Sequence, residues 1–453
     1  MSCGRPGTAT LSAVTRHARP RSRYRDLAPL LAVACAAPAL VLLGALAVHA
    51  GSGPAAGSGT AVTVPDVGPS EAPEPEPDAV FTVIAGGDVL PHLPVHASAR
   101  AQDGGHDFSR LLSGTDAWVS GADLALCHLE VPLTAPGARP SGYPRFAADS
   151  QLATDLREQG WDGCSTASNH SVDQGAPGVV ATLDALDAAG LGHVGTARSA
   201  FEAAAPALYS LERAGRTIVV AHLAGTYGTN GMPVPSSAPW SVTLLDGSAL
   251  VESARAARSA GADLVIVSMH AGVEYSTPPT DEQTELATLL AASGQVDMVL
   301  GHHAHVPQPT ALLPGGPEGL GMWVAYGLGN YVSNQDDDCC DARTDSGLLV
   351  TATVTRPADG RARVTGFEWT AVTVDRTGRH AVLALADIAV TGTRTLPAAD
   401  VLARYDRVRA AVGDAAAERV VPPVPTGDAP SVVPRPSAGS PSPGPAQPGV
   451  STR

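Results

Sequence analysis

The chain contains no lysine, so all 29 of its basic residues are arginine, and aromatic residues make up only 4% of its 453 positions. Together with the alanine-rich runs, the missing lysine is typical of a GC-rich genome and indicates nothing about function. Six cysteines are too few for a disulfide-dense scaffold, and the composition also excludes collagen and a coiled coil. No internal repeat is present. A hydrophobic fraction of 44% is enough for a sizeable core and excludes wholesale disorder.

Acidic residues dominate the charge of the chain after its first 25 positions. The formal net charge is −15, and residues 1–25 contain six arginines and no acidic residue. The remainder therefore carries 23 arginines against 44 acidic residues. Because a strongly acidic surface repels the phosphate backbone of DNA and RNA, we do not expect a nucleic acid scaffold as a partner.

An uncharged apolar segment follows the basic N-terminus. Residues 27–50 are rich in Leu, Ala, Val and Pro, and a helix of this length can cross the hydrocarbon core of a bilayer, which is about 30 Å thick. The preceding arginines predict that residues 1–26 are cytoplasmic and that the chain after Ala50 is extracytoplasmic. The segment is either a retained single-pass anchor in the cell membrane, which its length favours, or a signal sequence cleaved near Ala50, which would release a secreted protein.

Low-complexity stretches flank the expected folded region. Residues 51–79 are rich in Pro, Gly and acidic residues, which predicts an extended linker. Residues 421–453 are rich in Pro, Ser and Gly, which predicts a disordered tail. The folded domain is therefore expected at residues 80–420.

Within residues 80–420, short apolar runs typical of strands, such as those at 217–222 and 264–269, alternate with Ala- and Leu-rich segments typical of helices. This alternation predicts an α/β domain built from strand–helix–strand units. After Ser346 the strand signals follow one another directly, which predicts antiparallel strands. Residues 398–411 are predicted to form a closing amphipathic helix.

Polar side chains follow five of the predicted strands. Because sites in α/β sheets form in the crevice outside the carboxyl ends of strands, we expect these side chains to lie close together. Each motif alone is weak, since Gly-Gly-Asp is commonly a turn and a single histidine is commonly structural, but their joint occurrence is specific. The candidates are Asp88, His128, Glu130, Asn169, His170, His270, His302, His303 and His305.

This donor set consists of carboxylate oxygens, an amide oxygen and imidazole nitrogens. Such a mixed set suits Mn²⁺, Fe or Zn²⁺ and needs no thiolate. These donors are too many for one tetrahedral ion, but they suit two divalent ions that share a carboxylate, as in the hydrolysis of phosphoesters. His170, next to the ligand candidate Asn169, is then a candidate general acid or a hydrogen-bond donor to the transition state.

The order of the motifs resembles the CapA-like, poly-γ-glutamate capsule biosynthesis branch of the calcineurin-like metallophosphoesterases. The matching segments are GGDVL at 86–90, HLEVPLT at 128–134, TASNHSVDQG at 166–175, VSMHAGVEY at 267–275, LGHHAHVPQP at 300–309 and YGLGNYV at 326–332. The resemblance implies a four-layer α/β/β/α sandwich, a catalytic His170 and a bridging Glu130. The metal ligands that it implies are Asp88, Glu130, Asn169, His270, His303 and His305.

Two positions depart from the family pattern. The family usually has Asn-Leu-Glu where this chain has His128-Leu129-Glu130. Broader metallophosphoesterases have Asp-x-His in the first motif, but Leu90 stands at that histidine position here, which leaves the occupancy of the first metal site open. His128, His302 and Asp173 are expected either to hydrogen-bond to the metal ligands or to serve as extra ligands.

The resemblance implies a membrane-anchored, extracytoplasmic protein of capsule, poly-γ-glutamate or other cell-envelope polymer biosynthesis. Its implied partners are polymer synthase subunits and an anionic polymer or phosphoester substrate. Two other functions stay open: a non-catalytic metal-dependent subunit that binds or exports polymer, and a secreted nucleotidase or phosphodiesterase. The presence of His170 beside a full ligand set favours catalysis over binding alone.

Four cysteines lie in the predicted domain. An extracytoplasmic location permits disulfides, but two buried thiols are favoured over a bridge for Cys127 and Cys164. The vicinal Cys339 and Cys340 lie in an acidic loop, which we expect to be solvated, because its spacing does not match a known Ca²⁺-binding loop.

Overall fold

Sixteen strands form between residues 76 and 436, the part of the chain that this computed structural model describes. In chain order they are β1 (Ala79–Val89), β2 (Leu124–Leu129), β3 (Gly163–Ser165), β4 (Gly192–Val194), β5 (Ala207–Arg213), β6 (Arg216–Thr226), β7 (Leu264–His270), β8 (Met298–His302), β9 (Thr310–Leu313), β10 (Met322–Ala325), β11 (Asn330–Val332), β12 (Ser346–Arg356), β13 (Arg363–Asp375), β14 (Ala381–Ala384), β15 (Ala417–Glu418) and β16 (Ser431–Val433). The sequence of β7, LVIVSMH, is buried along its whole length, as expected for a parallel strand covered on both faces.

Ten α-helices accompany these strands in the same part of the chain. They are α1 (Leu93–Ala99), α2 (Ser109–Leu112), α3 (Asp116–Val119), α4 (Gln151–Gln159), α5 (Gly175–Ala189), α6 (Ala200–Ala203), α7 (Gly247–Ser259), α8 (Asp281–Ala292), α9 (Leu385–Ile388) and α10 (Ala398–Val412). Side-chain caps set the starts of α7 and α8: Asp246 accepts from the Ala249 amide at α7, and Thr280 and Gln283 form a capping box at α8. The predicted closing helix at 398–411 is confirmed as α10.

The strands assemble into two sheets. The first has the order β14-β13-β12-β1-β2-β3-β4, with β11 added to β1 and β15 to β13, and β1 to β4 run parallel. The second has the order β16-β5-β6-β7-β8-β10-β9, with β6, β7, β8 and β10 parallel. The antiparallel pairs β1–β12, β12–β13 and β13–β14 confirm the strand-rich region predicted after Ser346.

Three hydrophobic cores place the sheets in layers. One core contains residues of both sheets, such as Phe81 on β1 and Ile266 on β7, and therefore lies between them. A second joins the first sheet to α4 and α5, and a third joins the second sheet to α7 and α8. The layers therefore run helices, sheet, sheet, helices, and the expected two-sheet α/β sandwich is confirmed.

The predicted membrane segment at 27–50 lies outside the described residues, as do residues 1–26 and most of the linker at 51–79. Within residues 76–436, no helix has both the length and the apolar character needed to cross a bilayer.

The segment from 421 to 436 packs against the domain, so the prediction of a disordered tail is wrong for these residues, and residues 437–453 lie outside the described part of the chain. The Thr426 amide donates to Asp123 Oδ1 at 2.6 Å, and the Thr426 hydroxyl donates to the Val80 carbonyl at 2.8 Å. Strand β16 then pairs antiparallel with β5, and Arg435 donates to the Thr196 carbonyl at 3.1 Å. The Pro- and Ser-rich composition did not indicate these contacts because each depends on a partner distant in sequence.

Cys127 and Cys164 form a disulfide, so the expectation of two buried thiols is wrong. They are directly paired residues of the parallel strands β2 and β3, with a Cα–Cα distance of 4.4 Å. Cys339 and Cys340 also form a disulfide, between neighbouring residues. In the acidic loop beside them, Asp336 is paired with Arg376.

Candidate metal centre

The carboxyl ends of β1, β2, β7 and β8 meet at one edge of the sandwich. Asp88 on β1 is paired with His128 on β2, and His270 on β7 is paired with His302 on β8. Asp88 Oδ1 lies 3.2 Å from His302 Nδ1, so the two sheets contribute to one site. The predicted site residues are all buried, none more than 7% exposed, and are Asp88, His128, Glu130, Asn169, His170, Asp173, His270, His302, His303 and His305.

One group of possible ligands consists of Asp88, His128 and His302. One ligand atom from each lies within 4.8 Å of the others. The imidazole of His128 stacks on that of His302, with ring centroids 4.0 Å apart. Both histidines were expected as supporting residues or extra ligands, and the structure places them beside Asp88 as possible ligands.

A second group consists of Glu130, His303 and His305, which also lie within 4.8 Å of one another. His305 lies between the two carboxylates: its Nδ1 is 3.1 Å from Asp88 Oδ2, and its Nε2 is 3.7 Å from Glu130 Oε1. His303 and His305 have φ values of 85° and 57°. Left-handed conformations are costly for residues with a Cβ and concentrate at functional sites.

Asn169 and His270 complete the cluster of predicted ligands. Asn169 Oδ1 lies 3.0 Å from His270 Nε2, and His270 Nδ1 lies 2.9 Å from His128 Nε2. The His270 ring is also 4.9 Å from that of His303. His270 therefore connects the two groups, and the six predicted ligands form one continuous cluster.

His170 is held beside this cluster by residues of its own loop and a neighbouring loop. Its Nδ1 is 2.7 Å from Asp173 Oδ2, and its Nε2 is 3.5 Å from Asn230 Nδ2. Phe146 packs edge-on against the imidazole at 4.8 Å between centroids. Asn230 Oδ1 in turn accepts from Asn169 Nδ2 at 3.2 Å, which links His170 to the ligand cluster.

Burial and the neighbouring histidines shift the carboxylates in opposite directions. Burial raises the pKa of Glu130 well above its ordinary value, although His305 opposes the shift. Burial alone would also raise the pKa of Asp88, but the adjacent imidazoles of His302 and His305 lower it well below its ordinary value. Burial disfavours the charged form of His305, yet the carboxylates of Glu130 and Asp88 raise its pKa to about 9.

Three other histidines of the cluster, His128, His270 and His303, favour the neutral form. Burial, reinforced by neighbouring imidazoles, lowers the pKa of His303 to about 3 and lowers the pKa values of His128 and His270 well below their ordinary range. A neutral imidazole has a lone pair available, and metal ligation requires that form.

Several polar atoms of the cluster have no hydrogen-bond partner among the described residues. They are both carboxylate oxygens of Glu130 and His303 Nδ1. Asp88 Oδ2 has only the ion-pair contact with His305 Nδ1 at 3.1 Å. Burying such atoms without a partner is costly and rare in folded proteins. Divalent cations would satisfy these atoms, so the donor set fits metal ions, of which Mn²⁺, Fe and Zn²⁺ match the ligand chemistry.

Three contacting residues were not assigned roles from the sequence. Tyr227 and Asn230 follow β6, which runs to Thr226, four residues beyond the predicted strand end at His222. The Tyr227 ring lies 4.6 Å from that of His303. Asn330, whose Oδ1 is 3.2 Å from His305 Nδ1, is the Asn of the YGLGNYV motif. Extending the predicted strand from His222 to Thr226 would have placed Tyr227 and Asn230 just after its carboxyl end, at the edge where the candidate ligands lie.

Residues 82–335, more than half of the chain, match the model of the family described as bacterial capsule synthesis protein PGA_cap. The capsule biosynthesis protein CapA of Bacillus anthracis is 29% identical over 194 residues, 42% of this chain and 44% of that protein. The PGA biosynthesis protein CapA of Bacillus subtilis is 29% identical over 213 residues, 47% of this chain and 52% of that protein. This chain thus spans about half the length of these two relatives.

A probable polyglutamine synthesis accessory protein of Mycobacterium tuberculosis is 29% identical over 296 residues, 57% of this chain and 73% of that protein. Among solved structures, the NAD nucleotidase of Haemophilus influenzae is 12% identical with a TM-score of 0.40, covering 76% of this chain and 57% of that one. A calcineurin-like phosphoesterase of Bacillus subtilis is 13% identical with a TM-score of 0.39, covering 73% and 97%. Both TM-scores are below 0.5, so the architecture rests on the strand order and packing of this chain itself.

Proposed function

The chain belongs to the family of bacterial capsule synthesis proteins, and we propose that it is a metal-dependent phosphoesterase that acts in the biosynthesis of poly-γ-glutamate or another cell-envelope polymer. One observation carries the catalytic part of this proposal. Two buried groups of possible metal ligands lie side by side, and a histidine oriented by a carboxylate lies next to them. A polymer-binding protein would need neither a second ligand group nor an oriented His170.

The residues that would hold the metals follow from the two groups. Asp88, His128 and His302 would hold one ion, and Glu130, His303 and His305 would hold the other. His270 contacts His128 of the first group and His303 of the second, and Asn169 lies against His270. When bound, two such ions lower the pKa of water and offset the negative charge that develops on a phosphoryl group. The extra histidines His128 and His302 supply nitrogen donors to the first group, where Leu90 replaces the histidine of the broader superfamily.

His170 is suited to move a proton at Nε2. The Asp173 carboxylate accepts from Nδ1–H, which fixes the tautomer and leaves Nε2 as the reactive nitrogen. The same carboxylate stabilises the protonated imidazole, the form that donates a proton to a leaving group. Asn230 and Phe146 restrict the ring on its other sides, so the orientation of Nε2 is set before a substrate binds.

We place the domain outside the cytoplasm, attached to the membrane or secreted. The arginine-rich segment before residues 27–50 supports this orientation. The Cys127–Cys164 disulfide supports it as well, because disulfides persist in oxidising compartments. The names of the relatives support capsule or polymer synthase subunits as partners.

The test is a hydrolysis assay of the purified full-length protein after removal of metal and reloading with Mn²⁺ or Zn²⁺. The substrates are a chromogenic phosphodiester and a chromogenic phosphomonoester. We expect metal-dependent turnover that is lost in Glu130→Gln and His303→Ala, and is retained in Arg255→Gln, an exposed position on α7. Absence of turnover in protein with two bound metals would contradict phosphoesterase activity and favour a polymer-binding subunit.

A further inference from the structure

A cavity outside the metal centre has four basic side chains among its lining residues. Its volume is about 570 Å³, and its wall includes Arg100, His106 and Arg139 together with His96 and Asp149. In a chain with a net charge of −15, a cavity with two arginines, two histidines and one carboxylate is a local reversal of charge. The reactions assigned above to the metal centre use none of these residues.

A short antiparallel connection brings Arg100 and His106 together. Arg100 ends α1 and is bridged to His106, while the Ala101 amide donates to the Gly105 carbonyl at 2.9 Å. Residues directly opposite each other in an antiparallel pair project to the same side. The two side chains therefore line the cavity as neighbours.

The two histidines differ in what they can offer to a ligand. His96 uses both ring nitrogens: Nδ1 lies 3.1 Å from the His92 carbonyl, and Nε2 accepts from the Asp149 amide at 3.1 Å. His106 uses only Nδ1, which is 2.9 Å from Asp149 Oδ2. Its Nε2 has no hydrogen-bond partner among residues 76–436, so His106 has a ring nitrogen available and His96 does not.

The positive charges of the cavity are not neutralised locally. Neither Arg100 nor Arg139 forms an ion pair within the described part of the chain. Both carboxylate oxygens of Asp149 are engaged, one with His106 and the other with the Gln151 amide at 2.9 Å. The arginines are therefore free to bind an anion. Because the Asp149 carboxylate is already hydrogen-bonded, it repels a bound anion less than a carboxylate without partners would.

One loop forms a wall of both this cavity and the metal centre. Residues 138–140 and Asp149 line the cavity, while Phe146 of the same loop packs on His170 and donates its amide to Asp173 Oδ2 at 2.7 Å. The His92 ring also packs edge-on against Phe146, at 5.2 Å between centroids. The same loop therefore contacts both the cavity and His170.

We propose that this cavity is a binding subsite for the carboxylate groups of an acidic polymer, at a distance from the bond that reacts at the metal centre. The inference rests on the proposed function, since it takes the polymer of that function as the ligand. Guanidinium groups bind carboxylates through paired, charge-assisted hydrogen bonds. Binding energy from such a remote site can be used to position the reacting group.

The test measures binding of a γ-linked glutamate octamer to the full-length protein by calorimetry at low salt. Arg100→Gln and Arg139→Gln are compared with Arg255→Gln, which removes an exposed arginine on α7 far along the chain from the cavity. We expect each cavity variant to weaken binding by about tenfold, the usual effect of losing one charge-assisted hydrogen bond. The control variant should bind like the unchanged protein, and thermal unfolding checks that all three variants are folded.

Two further probes identify the ligand chemistry. The octamer with its carboxylates converted to methyl esters should not bind, and inorganic phosphate should bind with less dependence on Arg100 and Arg139 than the octamer. Equal binding of the octamer by all variants would overturn the proposal, as would an equal loss in Arg255→Gln. Phosphate binding that depends on both arginines, without octamer binding, would overturn it in favour of a phosphate site.

The outcome can be separated from that of the proposed function. Glu130→Gln alters the metal centre but leaves the cavity intact, so it should retain octamer binding. Binding that depends on Arg100 and Arg139 without any phosphoesterase turnover would support the subsite and contradict the proposed reaction. Turnover without such binding would support the reaction and contradict the subsite.

Discussion

The proposed catalytic role of His170 depends on the side chains that contact its imidazole ring. Its sequence position, next to Asn169, indicates only that it lies near the ligands. The structure adds Asp173 on Nδ1 and Asn230 near Nε2, which define the orientation of the ring and its available nitrogen. Because His170 belongs to neither group of possible ligands, its effects on catalysis and on metal binding can be separated.

We predict that His170→Asn lowers kcat by about 10²–10⁴-fold, the usual contribution of a general acid or base, without changing metal content. Asp173→Asn should lower kcat by at least about tenfold, because an amide can hydrogen-bond to the wrong tautomer of the ring. The measurements are steady-state kinetics and metal analysis of each purified variant. Unchanged kcat in His170→Asn would contradict the role, and loss of metal would make His170 a ligand.

At the scale of secondary structure elements, the GGD motif of β1 is explained by a close approach between strands. A Cβ on Gly87 would lie 2.1 Å from the Gly329 carbonyl oxygen and 2.8 Å from that of Leu328. The Asp88 amide donates to the same Gly329 carbonyl at 2.8 Å. Glycine at 87 therefore allows the turn before β11 to approach β1 and positions Asp88 in the site.

We predict that Gly87→Ala destabilises the protein by about 1–3 kcal/mol, as overpacking does in well-packed regions, and reduces metal content by displacing Asp88. Gly366→Ala is the matched control, because a Cβ there would lie 3.4 Å from the nearest atom, a Thr353 side-chain carbon. Urea unfolding and metal analysis of both variants check the prediction. Equal stability of the two variants would contradict the argument from close approach.

The Cys127–Cys164 disulfide joins two strands directly before residues that contribute to the site. His128 follows Cys127, Ser165 follows Cys164, and His128 Nδ1 lies 2.7 Å from Ser165 Oγ. The disulfide therefore holds β2 against β3 next to the contact between Ser165 and His128, which orients the His128 ring. The Cys339–Cys340 disulfide, by contrast, joins adjacent residues and closes no loop of significant length.

Replacing both Cys127 and Cys164 by alanine is predicted to lower the free energy of unfolding by about 3–4 kcal/mol. This is the loop entropy expected for a crosslink between residues separated by 37 positions. The double replacement of Cys339 and Cys340 by alanine should change it little and serves as the control. Alkylation of Cys127 or Cys164 in the unreduced, denatured protein would show free thiols and contradict the assignment.

At the scale of the whole molecule, the C-terminal segment connects the two sheets. Asp123, just before β2 in the first sheet, accepts from Arg213 at the end of β5 in the second sheet at 2.7 Å. The Thr426 amide donates to the same carboxylate, and Arg213 also donates to the Asp428 carbonyl at 3.0 Å. Asp123 and Arg213 are both buried, so the segment satisfies charged groups that water cannot reach.

A chain that ends at residue 420 is predicted to be less stable than the full chain by at least about 2–4 kcal/mol. It loses several buried hydrogen bonds, each of which costs about 1–3 kcal/mol when a partner is removed. A chain that ends at residue 436 keeps these contacts and is the matched control. Thermal unfolding of the two truncated proteins checks the prediction, and equal midpoints would show that the segment contributes nothing.

Much of the fold could be predicted because its signals are local. Strands such as β7 and helices such as α10 follow from apolar periodicity over a few residues. The end of β6 was misplaced because His222 interrupts its apolar run, although His222 is buried and paired with Ser268 Oγ at 2.8 Å. A buried polar residue with a partner in the neighbouring strand cannot be distinguished from a strand end by local pattern.

By itself, the sequence determined the α/β class, the strand ends that carry polar residues and the identity of the candidate ligands, because these depend on short-range periodicity and residue type. Tertiary structure alone decided how the ligands are grouped, for Asp88 meets His302 across 214 positions of sequence and His305 lies between two carboxylates. It also decided the pairing of Cys127 with Cys164 and the packing of residues 421–436. These features depend on which elements become neighbours when the two sheets pack, and no local pattern contains that information.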